Sequence, residues 1–276
     1  MFNDGPRENN ENDLAAREEL LELFDTIDWE CEVYKNFQEK NLGAGWGPSA
    51  AITWAFHDED QLVILEDDCV PSLAFFDFCN HCLEKYKNDT RIWLVSGRSH
   101  QQNSRFFKDQ DYIFTHYGHT WGWATWKRCW DNFDIDLKDF PEFIESGGAL
   151  NVLTSKEEGF FFNKKYQRLY DGPLHSWDFR LGIAIMKNGG LSIVPAKNLI
   201  QNVGIIGLHS KGKNFTHELQ AVKNFTFLRE PKFIIVNHEY ELLHFNTHIK
   251  KIMGTASFYK RTINKVQKTL WTQMNV

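Results

Sequence analysis

The chain has 276 residues, 42% hydrophobic and 25% charged, with a net charge of −6. That is enough apolar material for a core without disulfides or metals, which excludes disorder, collagen-like and coiled-coil classes; about 150 residues per domain gives one or two domains. No apolar run nears the roughly 18 residues of a membrane span, and an acidic total opposes non-specific binding of nucleic acid. In chain order, Leu14–Phe24 has helical periodicity, with Asn12 and Asp13 as caps. Cys31–Phe37 reads as a short strand, and Ser49–Phe56 as a helix after the Gly-rich GAGWGP. Leu62–Leu65 reads as a buried strand, Ser72–Tyr86 as a helix capped by Ser72, and Ile92–Val95 as a second buried strand. This alternation predicts a mostly parallel sheet with helices on its faces.

The second half is less regular. A Trp-rich segment runs from Gly118 to Trp130. Helices follow near Ser155–Tyr170 and Trp177–Lys187, then a strand at Leu191–Val194 and a Gly-rich segment at Asn202–Gly212. Charge is uneven: residues 1–60 carry 15 acids and 4 bases, whereas 242–276 carry six bases and no acid. The basic tail has two readings, a solvated closing helix or a peripheral contact with an anionic inner membrane face. The first residues, MFNDGPRENNEND, show neither a basic start nor an apolar stretch, so a cytoplasmic location is expected. Five cysteines then read as reduced thiols, and the lone Cys79-x-x-Cys82 lacks the second pair that a zinc site needs.

The strongest local signal is QLVILEDDCVPS, an apolar strand running straight into Glu66, Asp67 and Asp68. In open α/β sheets, ligands bind beyond the carboxyl ends of strands. Three adjacent carboxylates repel one another unless a cation offsets them, and their oxygens suit Mg²⁺ or Mn²⁺. The other reading is an acidic turn that only leads into the next helix.

ILEDDCVPSLAFFDFC resembles the Glu-Asp-Asp form of the DxD motif of GT-A-fold glycosyltransferases. It is similar to that of the N-acetylglucosaminyltransferase I family and of bacterial hemolytic-protein-like nucleotide-diphospho-sugar transferases. NDGPR, NLGAGWGPSAAITWAF, RIWLVSG, HTWGWATW, SWDFR and NVGIIGLHSKG follow the same family in order, over residues 3–215. The resemblance implies a Rossmann-like three-layer α/β sandwich with a mostly parallel sheet over 1–240, and a basic helical extension over 241–276. The strand and helix that relatives carry before NDGPR are expected to be missing. The implied activity is metal-dependent, inverting transfer of a sugar, N-acetylglucosamine first in line, from a UDP-sugar to a glycan, lipid-linked or protein acceptor in bacterial polysaccharide biosynthesis. The implied cofactor is Mn²⁺ or Mg²⁺.

Residue by residue, the resemblance gives Asp4 a contact with the uracil or ribose. Asp68 becomes the direct metal ligand, with Glu66 and Asp67 at the ribose, the sugar or metal-bound water. Gly122 and Trp123 lie beside the transferred sugar, and Asp178 is the catalytic base. His209, Ser210 and Lys211 form a loop over the diphosphate, with His209 on the metal or a phosphate. Read from the residues alone, Asp178 is first of all a first-turn acid of a helix, paired with Arg180. Trp177 beside it has the bulk to exclude water and raise a carboxylate's pKa. Trp121 and Trp123 read as a loop that stacks on a sugar ring or packs in the core, while Trp126 and Trp130 read as core. Asn41, Gly43 and Gly45 approach the nucleotide or form a plain turn. Two rival functions stand: a sugar nucleotidyltransferase, and a truncated glycan-binding relative without turnover.

Overall fold

IWLVS, YIFT, WATW and LSIVP are short apolar runs, and each forms a strand with every residue buried. Such runs belong inside a sheet covered on both faces. The computed structural model describes residues 1–102, 104–172, 176–204 and 220–250. The elements run β1 (Phe2–Asn3), α1 (Glu11–Phe24), β2 (Asn36–Phe37), α2 (Gly43–Ala55), β3 (Gln61–Ile64), β4 (Cys69–Pro71), α3 (Leu73–Tyr86) and β5 (Ile92–Ser96). Then come α4 (Ser104–Phe107), β6 (Tyr112–Thr115), β7 (Trp123–Trp126), α5 (Lys127–Trp130), α6 (Phe140–Glu145) and a 3-10 turn at Gly148–Asn151. The last are α7 (Lys156–Asp171), α8 (Trp177–Lys187), β8 (Leu191–Pro195), β9 (Ile200–Asn202) and α9 (His238–His244), which continues as a π-helical turn, Phe245–Ile249.

The central sheet has five strands in the order β3-β7-β5-β8-β6. Only β5 and β8 pair in parallel; β3–β7, β5–β7 and β6–β8 are antiparallel. The architecture is therefore α/β with a mixed sheet, which corrects the mostly parallel expectation. The reason lies past residue 96. The Trp-rich segment supplies β7, which inserts between β3 and β5, and YIFT supplies an antiparallel edge.

Other expectations shift for local reasons. Cys31–Lys35 forms no strand, and only Asn36–Phe37 pairs, with β1. Helix α1 is capped by Asn10 rather than Asn12 or Asp13, the Asn10 side chain accepting from the Asn12 N–H at 3.2 Å; Asp13 instead holds Arg7. The Gly-rich segment before Ser49 is helical. Its start is secured by Asp4, whose carboxylate accepts the N–H groups of Leu42 at 2.7 Å and Gly43 at 2.8 Å. Trp123 and Trp126 lie in a strand, not in a loop or helix.

The main core joins β5, β7 and β8 to the apolar faces of α3 and α8, with Phe75, Phe78, Leu94, Trp123, Trp126 and Trp177 among its members. Cys79 and Cys82 lie on the buried face of α3, where burial pushes both thiols up, so this pair is core packing. All five cysteines are free. A second cluster gathers α6, α7 and α8 around Tyr166, and Phe245 and Ile249 belong to it. The boundary expected at 240/241 thus falls inside a continuous helical segment that packs into the core. Of the extension expected over 241–276, residues 251–276 lie outside the described residues. Among the described residues, no helix is long and apolar enough to cross a membrane.

Candidate active site at the end of the third strand

Strand β3 carries Leu62 and Ile64 against the core and then stops, because Glu66, Asp67 and Asp68 cannot follow them inward unpaired. The chain turns there, with the Cys69 N–H donating to the Glu66 carbonyl at 3.0 Å. It leaves as β4, which pairs antiparallel with β9, Cys69 opposite Asn202. The Val203 N–H donates to the Asp68 carbonyl at 2.8 Å, which clamps the turn to the segment that follows β9. Gly204 lies against the Asp68 side chain so closely that a Cβ on it would stand 2.4 Å from Asp68 Oδ2. A larger residue there would have to displace the Asp68 carboxylate.

The acids share one electrostatic field. Burial pushes the Glu66 carboxyl up to about 7, and the charges of Asp68, Asp178 and Asp67 add to that shift. Asp178 comes from the first turn of α8, more than a hundred residues along the chain, so the fold brings the expected base to the expected metal turn. The Ser176 hydroxyl donates to the Asp178 carboxylate. Arg180 does not pair with Asp178; its guanidinium donates to the Ile135 carbonyl and feels Asp136 and Asp134. Trp177 stacks on Trp123, ring centres 5.9 Å apart, and so forms part of the apolar floor beneath this end of the sheet. The carboxyl that burial raises is Glu66, whose closeness to Asp178 the linear sequence does not announce.

The remaining residues divide. Gly122 has φ +62°, and a Cβ on it would meet Ile200 at 2.3 Å and Leu65 at 3.4 Å, so the bend before β7 sits directly beside the end of β3. Trp123 is fully buried and stacks inward, so it offers no ring to a sugar. Trp121 is half-buried, with the Arg98 guanidinium 4.8 Å from its ring centre. Asp4 and Asn41 come together: Asn41 Nδ2 donates to Asp4 Oδ2 at 3.1 Å and to the Gly5 carbonyl at 2.7 Å. Because the Asp4 carboxylate also accepts from Gly5, Leu42 and Gly43, it acts here as the cap and anchor of α2 rather than as an open acceptor. His209, Ser210 and Lys211 lie outside the described residues; the segment they belong to begins at Asn202–Gly204, beside Asp68.

Sequence reasoning missed Lys165. It lies on α7 with its ammonium 3.7 Å from the Phe179 ring centre. Burial lowers its pKa, while the neighbouring Asp178 charge raises it. A lysine inside a polar-looking helix carries no linear mark of this; only the packing of α7 on α8 shows it. Among the described residues, no three His, Cys, Asp or Glu side chains stand arranged to hold a metal ion. A hard cation held by one or two carboxylates does not need three, since oxygen ligands from a diphosphate and water complete its shell. The donor set suits such a cation: acid-only, at a turn where burial and mutual repulsion already hold one carboxyl partly protonated.

No family model matches the chain, and no curated protein sequence matches it.

Proposed function

We propose that the chain is a metal-dependent glycosyltransferase that moves a sugar from a UDP-sugar to a hydroxyl of a glycan, lipid-linked or protein acceptor. One observation carries this reading: Glu66, Asp67 and Asp68 at the end of β3 share a field with Asp178 from α8, and Glu66 is raised to about 7. Glycosyl transfer needs negative charge handled at a leaving diphosphate and a base for the acceptor hydroxyl. Asp68, with Glu66 or Asp67, would hold Mn²⁺ or Mg²⁺, and the ion when bound offsets charge on the leaving diphosphate. Asp178 takes the acceptor proton, held in orientation by the Ser176 hydroxyl. The bend at Gly122 packs against Ile200 and lies beside Leu65 at the strand end, where the sugar would be held. Displacement by an acceptor activated on the opposite face inverts the anomeric centre. The GT-A assignment, the choice of N-acetylglucosamine and a role in polysaccharide biosynthesis belong to the same proposal.

Titration calorimetry of UDP and UDP-N-acetylglucosamine with and without Mn²⁺ tests it. Mn²⁺-dependent binding that is lost in Asp68→Ala supports the reading. Release of pyrophosphate rather than UDP on turnover would move the assignment to a nucleotidyltransferase. Glycan binding without any nucleotide binding would leave the non-catalytic rival.

A further inference from the structure

A surface helix ordinarily hides one apolar stripe against the core. Helix α1 buries none of its 14 residues. It is tied down by a few contacts: Phe24 lies 5.7 Å from Phe37 between ring centres, Arg17 donates to the Gln38 carbonyl at 2.5 Å, and Asp13 holds Arg7. Leu14, Leu21 and Leu23 on the helix, and Trp29, Val33 and Tyr34 after it, are exposed, Trp29 to 65%. A single exposed leucine is ordinary, but this density of large apolar side chains makes a surface that calls for cover. A helix of this length is also marginal without tertiary packing.

The charges on α1 narrow what covers it. Residues 11–34 carry nine acids and one base, Arg17. Asp13 is paired with Arg7 and Asp25 with Lys35. Among the described residues, no base pairs with Glu11, Glu18, Glu19, Glu22, Asp28 or Glu30. Leu14 and Leu21, two turns apart, share one row of the helix, and Glu11, Glu18 and Glu22 form the row beside it. Glu18 and Glu22 are four residues apart and repel each other. The last turn holds no base, although the helix dipole favours one there. A basic, apolar partner removes all of these penalties together. A second copy of α1 cannot be that partner, since acids would face acids.

This chain carries a segment of the required chemistry. Residues 251–276 hold five bases, Lys251, Lys260, Arg261, Lys265 and Lys268, and no acid. Tyr259, Ile263, Val266, Leu270 and Met274 are spaced four, three, four and four, the period of one helix face. The bases fall outside that stripe, and their long stems let the charged heads reach acids that flank an apolar row. Length sets no obstacle. The described chain runs to Lys250, and the residues after it span about 85 Å when extended, against a radius of gyration of about 19 Å for a chain of this size.

We propose that residues 251–276 dock on α1 of the same chain, the apolar stripe covering Leu14 and Leu21 and the bases meeting Glu11, Glu18 and Glu22. The contact closes the two ends of the sequence on each other. It draws on the two most unevenly charged stretches of the chain and leaves the acidic turn untouched.

The test uses the full chain. Zero-length carbodiimide coupling joins a lysine to a carboxylate only where the two touch. The expected result is coupling of Lys260, Lys265 or Lys268 to Glu11, Glu18 or Glu22. In a mixture of heavy- and light-isotope chains, each coupled pair should carry a single isotope. Hydrogen exchange gives a second reading. Lys260→Glu, Lys265→Glu and Lys268→Glu together should speed exchange of the α1 amides by at least about 10-fold. Adding Glu11→Lys, Glu18→Lys and Glu22→Lys to that chain should restore most of the protection, which a mere loss of folding would not do. Coupling confined to pairs of unlike isotope, or α1 exchange indifferent to the lysine reversal, would overturn the proposal. If that indifference came with binding of the unaltered chain to phosphatidylserine vesicles, the basic segment would belong to a membrane surface instead.

Discussion

Two titratable clusters lie near the same end of this sheet, and their partly buried members respond to burial in opposite directions. At the acidic turn, low dielectric and like charge push Glu66 up to about 7. At the histidine cluster, where the rings of His100, His119, His244 and His248 pack together, the same two causes push His244 and His248 down to about 3 and 4. Both moves lead toward the neutral form, because a lone charge in the interior costs more than a proton gained or lost. The outcome differs in chemistry. The acids, once ionised, are hard oxygen donors beside an exposed turn; the imidazoles are neutral rings packed against one another, with only His244 fully buried. Strand β7 links the two, since it pairs with β3, which ends in the acids, and with β5, which leads to His100.

The largest expected effect comes from breaking that link. Trp123→Ala removes a fully buried indole from β7 and its stack on Trp177, and should destabilise the chain by about 3–5 kcal/mol. A thermal melt within about 2 °C of the unaltered protein would show that β7 is not the shared support. Glu66→Gln follows. The folded carboxyl titrates near 7, above its ordinary value of 4.5, so stability is full below pH 4.5 and falls as pH rises to 7. In metal-free buffer the Gln variant should therefore be more stable than the unaltered chain at pH 8, by roughly 3 kcal/mol, and no more stable at pH 4.5. Equal stabilities at pH 8 would mean that Glu66 is not held up by burial.

Asp68→Ala sharpens the contrast on the ligand side. It should weaken Mn²⁺-dependent UDP binding by about 100-fold, roughly 2.7 kcal/mol, with little change in the melt. Retained nucleotide affinity would remove Asp68 from the donor site. Asp4→Ala is the smallest effect and concerns a residue the sequence assigns to the nucleotide. Loss of the cap on α2 should cost about 1–2 kcal/mol in urea unfolding, while UDP affinity of the folded variant changes less than threefold. A loss of UDP affinity as large as that of Asp68→Ala would restore Asp4 as a nucleotide ligand.

The acidic turn was legible because it is contiguous. Glu66, Asp67 and Asp68 follow an apolar run, and no fold is needed to see that a strand ends there in three carboxylates. Helix α8 was legible too, since a helix is expected near Trp177–Lys187 and one forms there with an apolar face. Capping was less so: the Gly-rich start of α2 is helical because Asp4 reaches it across nearly forty residues, and no local propensity encodes that reach. The Trp-rich segment misled for a similar reason. Alternation in Trp123–Trp126 is too short to separate strand from loop, and its neighbours β3 and β5 decide the matter.

By itself the sequence determined an α/β chain without a long apolar span, an acidic strand end and a helix beginning at Trp177. These depend on hydrophobic period and adjacent charge, which are local properties. Tertiary structure alone decided the mixed order of the sheet, the meeting of Asp178 with Glu66, and the convergence of four histidines spread from residue 100 to 248. Each of these depends on which distant segments share a small volume. That is set by the packing of Trp123, Trp177 and the aromatic core around them, not by the order of residues along the chain.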